Sequence, residues 1–573
     1  MSRGEAGPLT RFGIPLVVAG AAILVGYMLS VGLDGYFVYL GMSAIVAGIA
    51  LLGLGVVTGS AGMVSLCQLT FAAVGAWVVS WLNRIEAPGG FLLWLLCGGV
   101  AAGLVGVLVG LPALRLRGIN LAVVTLGLAA AADLTLVQIQ FPGTVDGISV
   151  ERPDAFSDDR NYFLLGIIVL TACCLLVHFL RRSRWGSGWQ SVAFSERGTA
   201  AAGASVRTSK LSAFAVSAAL GGVAGGLLTG QVGLAFPASF TAMQSLALYV
   251  LAVMSGVHLI DMAIFGAILW VAVPELLKRW GVPQDWGFVV FGLLGTHALV
   301  TGGNLGVAVR ELVRKRSKTA AGVELTSAVD DVEVLPPGEP VLVVRDLSVS
   351  FGEVKALSHV DLEVPSNGVL GVIGPNGAGK STLVDILTGF LPQATGSVEL
   401  DGRSLNGQSP TKRARAGLRR TFQQDRVPSG LTVGSYVRFV ARRRLTSAEI
   451  DEALEFFGCP PARTPLRSVD VGARRLVEVV GHLLAKPKVL LLDEPAAGLP
   501  HEEHVAFGAR LRQVPARFGV SVLLIEHDLD LVRSVCDRIT VLDFGQVLAS
   551  GPQAEVLANP AVLKAYMGET EML

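Results

Sequence analysis

The 573-residue chain is 52% hydrophobic and 16% charged, with a mean hydropathy of +0.59, which excludes one soluble protein of this length and implies a membrane portion. Its 46 Lys and Arg against 45 Asp and Glu leave a formal charge of +1, so no basic excess points to nucleic acid and charge has to be read locally. Cys67, Cys97, Cys173, Cys174, Cys459 and Cys536 form no CxxC pair, and no His cluster stands at ligand spacing, which argues against a disulfide scaffold or a zinc site.

The first apolar run begins near Phe12 and is long enough to span a bilayer. With no small-residue cleavage site and soluble domain after it, it reads as a first span and not as a removed signal peptide. From there to about Val307, apolar stretches of roughly twenty residues recur, each long enough to cross about 30 Å of hydrocarbon as a helix. About ten are expected, at 12–33, 36–58, 62–82, 90–112, 119–139, 162–180, 211–231, 242–258, 259–277 and 286–306. The divisions around Gly62 and His258 also suit broken or re-entrant helices. Gly53, Gly55, Gly59, Gly62, Gly221, Gly222, Gly225 and Gly226 would let helix backbones approach closely. Few ionisable residues sit at mid-span; Asp133, His178, Asp261 and His297 are the exceptions and are candidates for a pathway.

Arg115, Arg117, Arg181, Arg182, Arg184, Arg197, Arg207, Lys210, Arg310, Arg314, Lys315, Arg316 and Lys318 fall on one side of a ten-span arrangement, as do Arg3 and Arg11. The positive-inside rule makes that side cytoplasmic and sets both termini there. The long loop from Gln140 to Tyr162 carries Asp146, Glu151, Asp154, Asp158 and Asp159 against two Arg and should face outward. Lys278 and Arg279 lie on that outer side, against the rule.

From Ser317 to Pro340 the chain is polar and acidic, with Pro336, Pro337 and Pro340, and reads as a linker. This divides the chain into an all-α polytopic membrane domain over 1–316, a linker over 317–340 and a second domain over 341–573. In the second domain, apolar β-rich runs (VLVVRDLSVSF, GVLGVIG, KVLLLDEP, VSVLLIEHD, ITVLDFGQVLASG) alternate with helical stretches, the pattern of an α/β fold.

Gly374, Pro375, Asn376, Gly377, Ala378, Gly379, Lys380, Ser381 and Thr382 follow an apolar strand and precede the helical run LVDILTGF. The glycines let backbone N–H groups curl around phosphates at a helix start, Lys380 brings positive charge to the β and γ phosphates, and Ser381 offers a hydroxyl to Mg²⁺. KVLLLDEP delivers Asp493, able to hold Mg²⁺ through its water shell, and Glu494, able to polarise an attacking water. VLLIEHD presents His527 at a strand tip, where its two ring nitrogens can bridge the γ-phosphate and that water. Three such elements in this order predict a P-loop ATPase using ATP and Mg²⁺.

These residues resemble the ATPase domain of ABC transporters, from about Val341 to the C-terminus. The likeness implies that Phe351 stacks on adenine and that Gln423, in RTFQQ, senses Mg²⁺ and contacts the membrane partner. LLLDEPAAGL, LLIEHDLDLV, CDRITVLDFGQVLASG and NPAVLKAYMGE resemble the ATPase of branched-chain amino acid uptake systems in particular. In the first half, VTGSAGMVSLCQLTFAAVGAW, LRLRGINLAVVTLGLA and GTVDGI resemble the permease of the same systems, with SVAFSERGTAAAGASVRTSKLSAF where that family has its cytoplasmic coupling loop. The loop from Ser195 to Gly203 is therefore expected to dock on the ATPase near Gln423.

The resemblance implies a multi-pass protein of the inner or plasma membrane, in contact with lipid, with its ATPase domain cytoplasmic. It also implies an extracytoplasmic solute-binding protein. The chain departs from the family where a signature LSxGQ is expected: Val469-Asp470-Val471-Gly472-Ala473 retains only Gly472. The following D-loop position reads Ala497-Gly498-Leu499-Pro500, with Pro500 where a polar residue is usual. In the family the signature serine contacts the γ-phosphate bound to the opposite ATPase, so the departure implies pairing with a second permease and a second ATPase. Branched-chain or other amino acids, urea, short amides and small carboxylates stay open as solutes. A half-size exporter fuses the same two parts but needs about six spans with long cytoplasmic extensions, and an ATP-gated membrane protein is disfavoured by the retained Glu494 and His527.

Overall fold

A computed structural model describes residues 13–301, 336–497 and 501–567. The chain divides into two compact units, one of Met1–Trp189 with Arg207–Ser317, the other of Gln190–Val206 with Lys318–Leu573. Within the expected linker, positions 317–335 lie outside the described residues, as do Arg3, Arg11, the basic run from Arg310 to Lys318, and Gly498, Leu499 and Pro500.

In the N-terminal half the helices are α1 (Ile14–Gly32), α2 (Gly35–Leu54), α3 (Gln68–Arg84), α4 (Gly90–Gly110), α5 (Ile119–Ile139), α6 (Asp159–Arg182), α7 (Arg184–Phe194), α8 (Glu196–Ala201), α9 (Val206–Val232), α10 (Ala242–Ser255), α11 (Ile260–Arg279) and α12 (Trp286–Thr301). A helix stands at each of the ten expected places, and among the described residues eight segments are long and apolar enough to cross a membrane. The shorter two are α3, of 17 residues, and α12, of 16. The continuous span expected over 62–82 is corrected: Ala61 to Cys67 is non-helical, and the helix starts at Gln68. That stretch is largely buried, so its backbone needs partners inside the protein. Leu66 N–H donates to Thr125 Oγ1 at 3.1 Å, and at the helix start Leu69 N–H donates to Ser245 Oγ at 3.3 Å.

Helix α2, which continues into a π-helical turn at Gly55–Ser60, and α9 supply the buried centre of this unit. By contrast α1 and α5 leave Val17, Val18, Ile119 and Leu134 exposed, apolar surface suited to hydrocarbon. Small residues set the approach of α3, α4 and α9. A Cβ on Gly225 would stand 1.8 Å from the Ala72 carbonyl oxygen, and one on Gly75 would stand 2.1 Å from that of Gly222. The acidic loop between α5 and α6 is tied down by Arg152, which donates to the Gly230 and Gln231 carbonyls at 2.7 and 2.9 Å and pairs with Asp159 at 2.7 Å. Of the ionisable residues in the spans, Asp133 accepts from Ala242 N–H at the start of α10, and Asp261 lies in the first turn of α11.

The second unit has two sheets. Strands are β1 (Pro340–Phe351), β2 (Val354–Pro365), β3 (Val369–Ile373), β4 (Thr395–Leu400), β5 (Arg403–Ser404), β6 (Leu418–Arg420), β7 (Val489–Asp493), β8 (Ser521–Ile525), β9 (Arg538–Asp543) and β10 (Gln546–Pro552). An antiparallel sheet runs β2-β1-β4-β5, and a six-stranded sheet runs β10-β9-β3-β8-β7-β6, parallel except for β10. Strands β3, β7 and β8 are wholly buried, which is why each reads as an unbroken apolar run. Because they are parallel neighbours, their C-terminal ends share one edge of the sheet, where open α/β folds place their ligands.

Candidate active site

Three strand ends build the site. After β3, Gly374 to Gly379 turn the chain into the helix Lys380–Leu387, with Gly377 at φ 87° and Gly379 at φ 100°, left-handed conformations that favour glycine. Space also forbids a side chain at Gly379, since a Cβ there would meet the Ala356 carbonyl oxygen at 2.8 Å. The loop is braced from β9–β10, where Gly545 N–H donates to the Ala378 carbonyl at 3.1 Å. The helix start has no side-chain cap, leaving its first N–H groups for an anion. Lys380 Nζ lies against the loop, donating to the carbonyls of Gly374 at 2.7 Å and Pro375 at 2.9 Å. Burial lowers its pKa, opposed by the charges of Glu494 and Asp493.

At the end of β7, Asp493 is buried and Oδ2 accepts from Arg420 Nη2 at 3.1 Å. Burial raises its pKa while Arg420 lowers it. Glu494 follows with φ 46°, a backbone strain for a non-glycine residue. Its N–H donates to the Ile525 carbonyl at 3.0 Å, and its Oε2 accepts from Gln423 Nε2 at 2.7 Å. His527, just past β8, stands with Nδ1 3.8 Å from Glu494 Oε1. Gln423, Glu494 and His527, far apart in the chain, thus meet at one edge. Ser381 in the first turn of the phosphate-loop helix, Gln423 and Asp493 present the hard oxygen donors that Mg²⁺ takes, so these residues fit that ion. Phe351 ends β1 about half exposed, on the hairpin whose Ala356 abuts Gly379.

Asp470 is the N-cap of the helix Val471–Leu483, its Oδ1 accepting from Ala473 N–H at 2.7 Å. The adjacent arginines are engaged elsewhere: Arg474 pairs with Asp425 at 2.9 Å, and Arg475 donates to the carbonyls of Gln423 and Ala497. Sequence reasoning missed Arg420 and Asp385, which pair at 2.5 Å. The signal was present in Arg419 and Arg420, two adjacent arginines that are both buried on β6.

The segment Ser195 to Gly203 belongs to this unit. Arg197 pairs with Asp385 at 2.6 Å, the Gly203 carbonyl accepts from Arg415 Nε at 2.9 Å, and a Cβ on Gly198 would lie 3.1 Å from that of Arg426, in the same loop as Gln423. The expected docking is therefore present.

Comparison with known proteins matches three parts of the chain. Residues 36–296 match the family model of the branched-chain amino acid transport system permease component, 357–497 that of the ABC transporter, and 546–571 that of the branched-chain amino acid ATP-binding cassette transporter. The chain is 34% identical over 251 residues to the high-affinity branched-chain amino acid transport ATP-binding protein BraF of Pseudomonas aeruginosa, covering 40% of this chain and 98% of BraF. It is 33% identical over 252 residues to LivG of Escherichia coli K12, covering 40% of this chain and 99% of LivG. Among solved structures, the ADP conformation of MJ1267, an ATP-binding cassette of an ABC transporter, aligns with 40% of this chain and 99% of its own at 28% identity, with a TM-score of 0.36.

Proposed function

The chain belongs to the branched-chain amino acid ABC transporter family, as a permease fused to its ATP-binding domain, and from this premise we propose that it imports branched-chain or related small amino acids. It is a multi-pass membrane protein that binds ATP and couples its hydrolysis to transport. The proposed permease covers 1–316, the linker 317–340 and the ATPase 341–573, with the ATPase and both termini cytoplasmic in the inner or plasma membrane. An extracytoplasmic binding protein delivers the solute, and a second permease and a second ATPase complete the complex.

The meeting of Gln423, Glu494 and His527 beside the phosphate loop carries this reading. The loop from Gly374 to Thr382 wraps the phosphates with its N–H groups, Lys380 leaves its carbonyl partners for the β and γ oxygens, and Phe351 stacks on adenine. Ser381, Gln423 and Asp493 would hold Mg²⁺, which when bound would neutralise phosphate charge. Glu494 polarises the attacking water, Gln423 fixes the Glu494 carboxylate, and His527 contacts the γ-phosphate. Lys380→Ala is expected to abolish nucleotide binding at this loop, whereas Glu494→Gln leaves binding and stops turnover. Nucleotide binding and ATPase assays on the assembled complex check this; hydrolysis at this site surviving both changes contradicts it.

A further inference from the structure

Arg420 is 4% exposed, at the end of β6. Its Nη2 reaches Asp493 at 3.1 Å, and its Nη1 reaches Asp385 Oδ1 at 2.5 Å and Thr388 Oγ1 at 3.3 Å. Asp385 lies on the phosphate-loop helix, and its second oxygen accepts from Arg197 on α8 at 2.6 Å. The Phe390 ring lies 4.8 Å from the Arg197 guanidinium and 5.8 Å from that of Arg420, and the Phe422 ring lies 4.3 Å from the latter. Charges of alternating sign therefore run unbroken from a segment between α7 and α9 to the carboxylate at the end of β7.

The two ends of this chain differ in solvent. The Arg420 and Asp493 side chains are 5% and 11% exposed, whereas Arg197 is 47% exposed. The inner pair is weakly screened and persistent, and the outer pair is easily opened. One guanidinium is shared by two carboxylates. When Arg197 is paired with Asp385, the pull of Asp385 on Arg420 is partly met elsewhere and Arg420 is held on Asp493. When Arg197 leaves, Asp385 competes for Arg420 as a full anion and the Asp493 carboxylate is less compensated.

We propose that Arg420 is a positioning residue which, through Asp385, makes the grip of Asp493 on a divalent cation depend on whether Arg197 of α8 is seated. The proposal rests on the reading of Asp493 as part of the ATP site. Linkage makes the effect reciprocal: cation and nucleotide at Asp493 change how firmly Arg197 is held, so the site and the permease loop sense each other.

The test measures Mn²⁺ binding by electron paramagnetic resonance to the full chain in detergent, with a non-hydrolysable ATP analogue. Arg197→Ala is expected to tighten Mn²⁺ binding about two- to threefold, the scale of one partly exposed ion pair. Asp385→Asn is expected to weaken it, since Arg420 then rests wholly on Asp493. In an Arg420→Gln background, adding Arg197→Ala is expected to change nothing. A through-space field effect would persist in that background, and so would a merely additive structural effect. Should Arg420→Gln not fold, Arg420→Lys serves, because a single ammonium lacks the fork that bridges two carboxylates. Binding lost on Lys380→Ala together with an Arg197 effect that Arg420→Gln or Arg420→Lys leaves unchanged overturns the link alone. Mn²⁺ binding that survives Lys380→Ala overturns the site reading and the link with it.

Discussion

Glu478, in the helix Val471–Leu483, is 2% exposed, and a carboxyl group closed off from water keeps its proton. Burial first, then the nearby Asp425, push it up to about 8, against Arg420, Arg475 and Arg426. Its folded value is raised, so the associated stability is complete below the unfolded value and is lost as pH rises towards the folded one. Across that window the unfolded chain binds fewer protons than the native one, and stability falls with pH. Glu478→Gln removes the titration, and the thermal midpoint of the ATPase is expected to rise by about 3 °C at pH 8 with little change at pH 5. Thermal unfolding at the two pH values checks this, and an equal shift at both contradicts it. Residues of this kind were not legible in the sequence. Lys380, Asp493, Glu494 and His527 were, because each stands at the end of an apolar run whose neighbours announce a strand or a glycine loop. Glu478, Asp385 and Arg420 acquire their meaning only from elements that meet in space.

The helix beginning at Val471 is capped by Asp470, at the position where the family's signature serine is expected. As an N-cap, Asp470 serves as well as Ser, and its negative charge suits a helix start. Facing a γ-phosphate on an opposing ATPase, however, a carboxylate at about 4 Å would meet a repulsion on the order of 4 kcal/mol at an effective dielectric of 20. Two copies of this chain would place that repulsion in both composite sites, whereas a partner with an intact signature would restore the site built on Lys380 and Glu494. The purified chain alone is therefore expected to hydrolyse ATP slowly, and Asp470→Ser, which retains the cap, is expected to raise the rate at least tenfold. Robust hydrolysis by the unmodified chain, unchanged by the substitution, contradicts this. Strands β1, β3, β7, β8, β9 and β10 were legible as apolar runs. Strands β2, β4 and β5 were not, because their exposed positions break the run: β4 reads Thr-Gly-Ser-Val-Glu-Leu, with only Val398 and Leu400 buried. Strand β6 is buried but is only three residues long, two of them arginine. The late start of α3 was equally hidden, since Met63, Leu66 and Cys67 are as apolar as a helix interior while glycine and distant hydroxyls decide the backbone.

At the scale of the molecule, two compact units carry two kinds of order. One is a helical assembly in which glycines let α3, α4 and α9 approach closely and whose outer faces carry exposed apolar side chains. The other is a sheet whose parallel strand ends gather carboxylates, an amide and an imidazole at a phosphate loop. The composition shift near Ser317 made their succession readable, but composition could not show that Gln190–Val206 leaves the first unit to join the second. That excursion places Arg197 on Asp385 of the phosphate-loop helix. On this reading, ATP turnover at this chain's own site drives solute inward. Its most direct test is uptake of radiolabelled leucine by cells expressing the assembled transporter, wild type against Glu494→Gln, at equal amounts of membrane-inserted protein. Accumulation in the wild type, reduced at least tenfold by Glu494→Gln, is the predicted result; accumulation that Glu494→Gln leaves untouched would contradict the account.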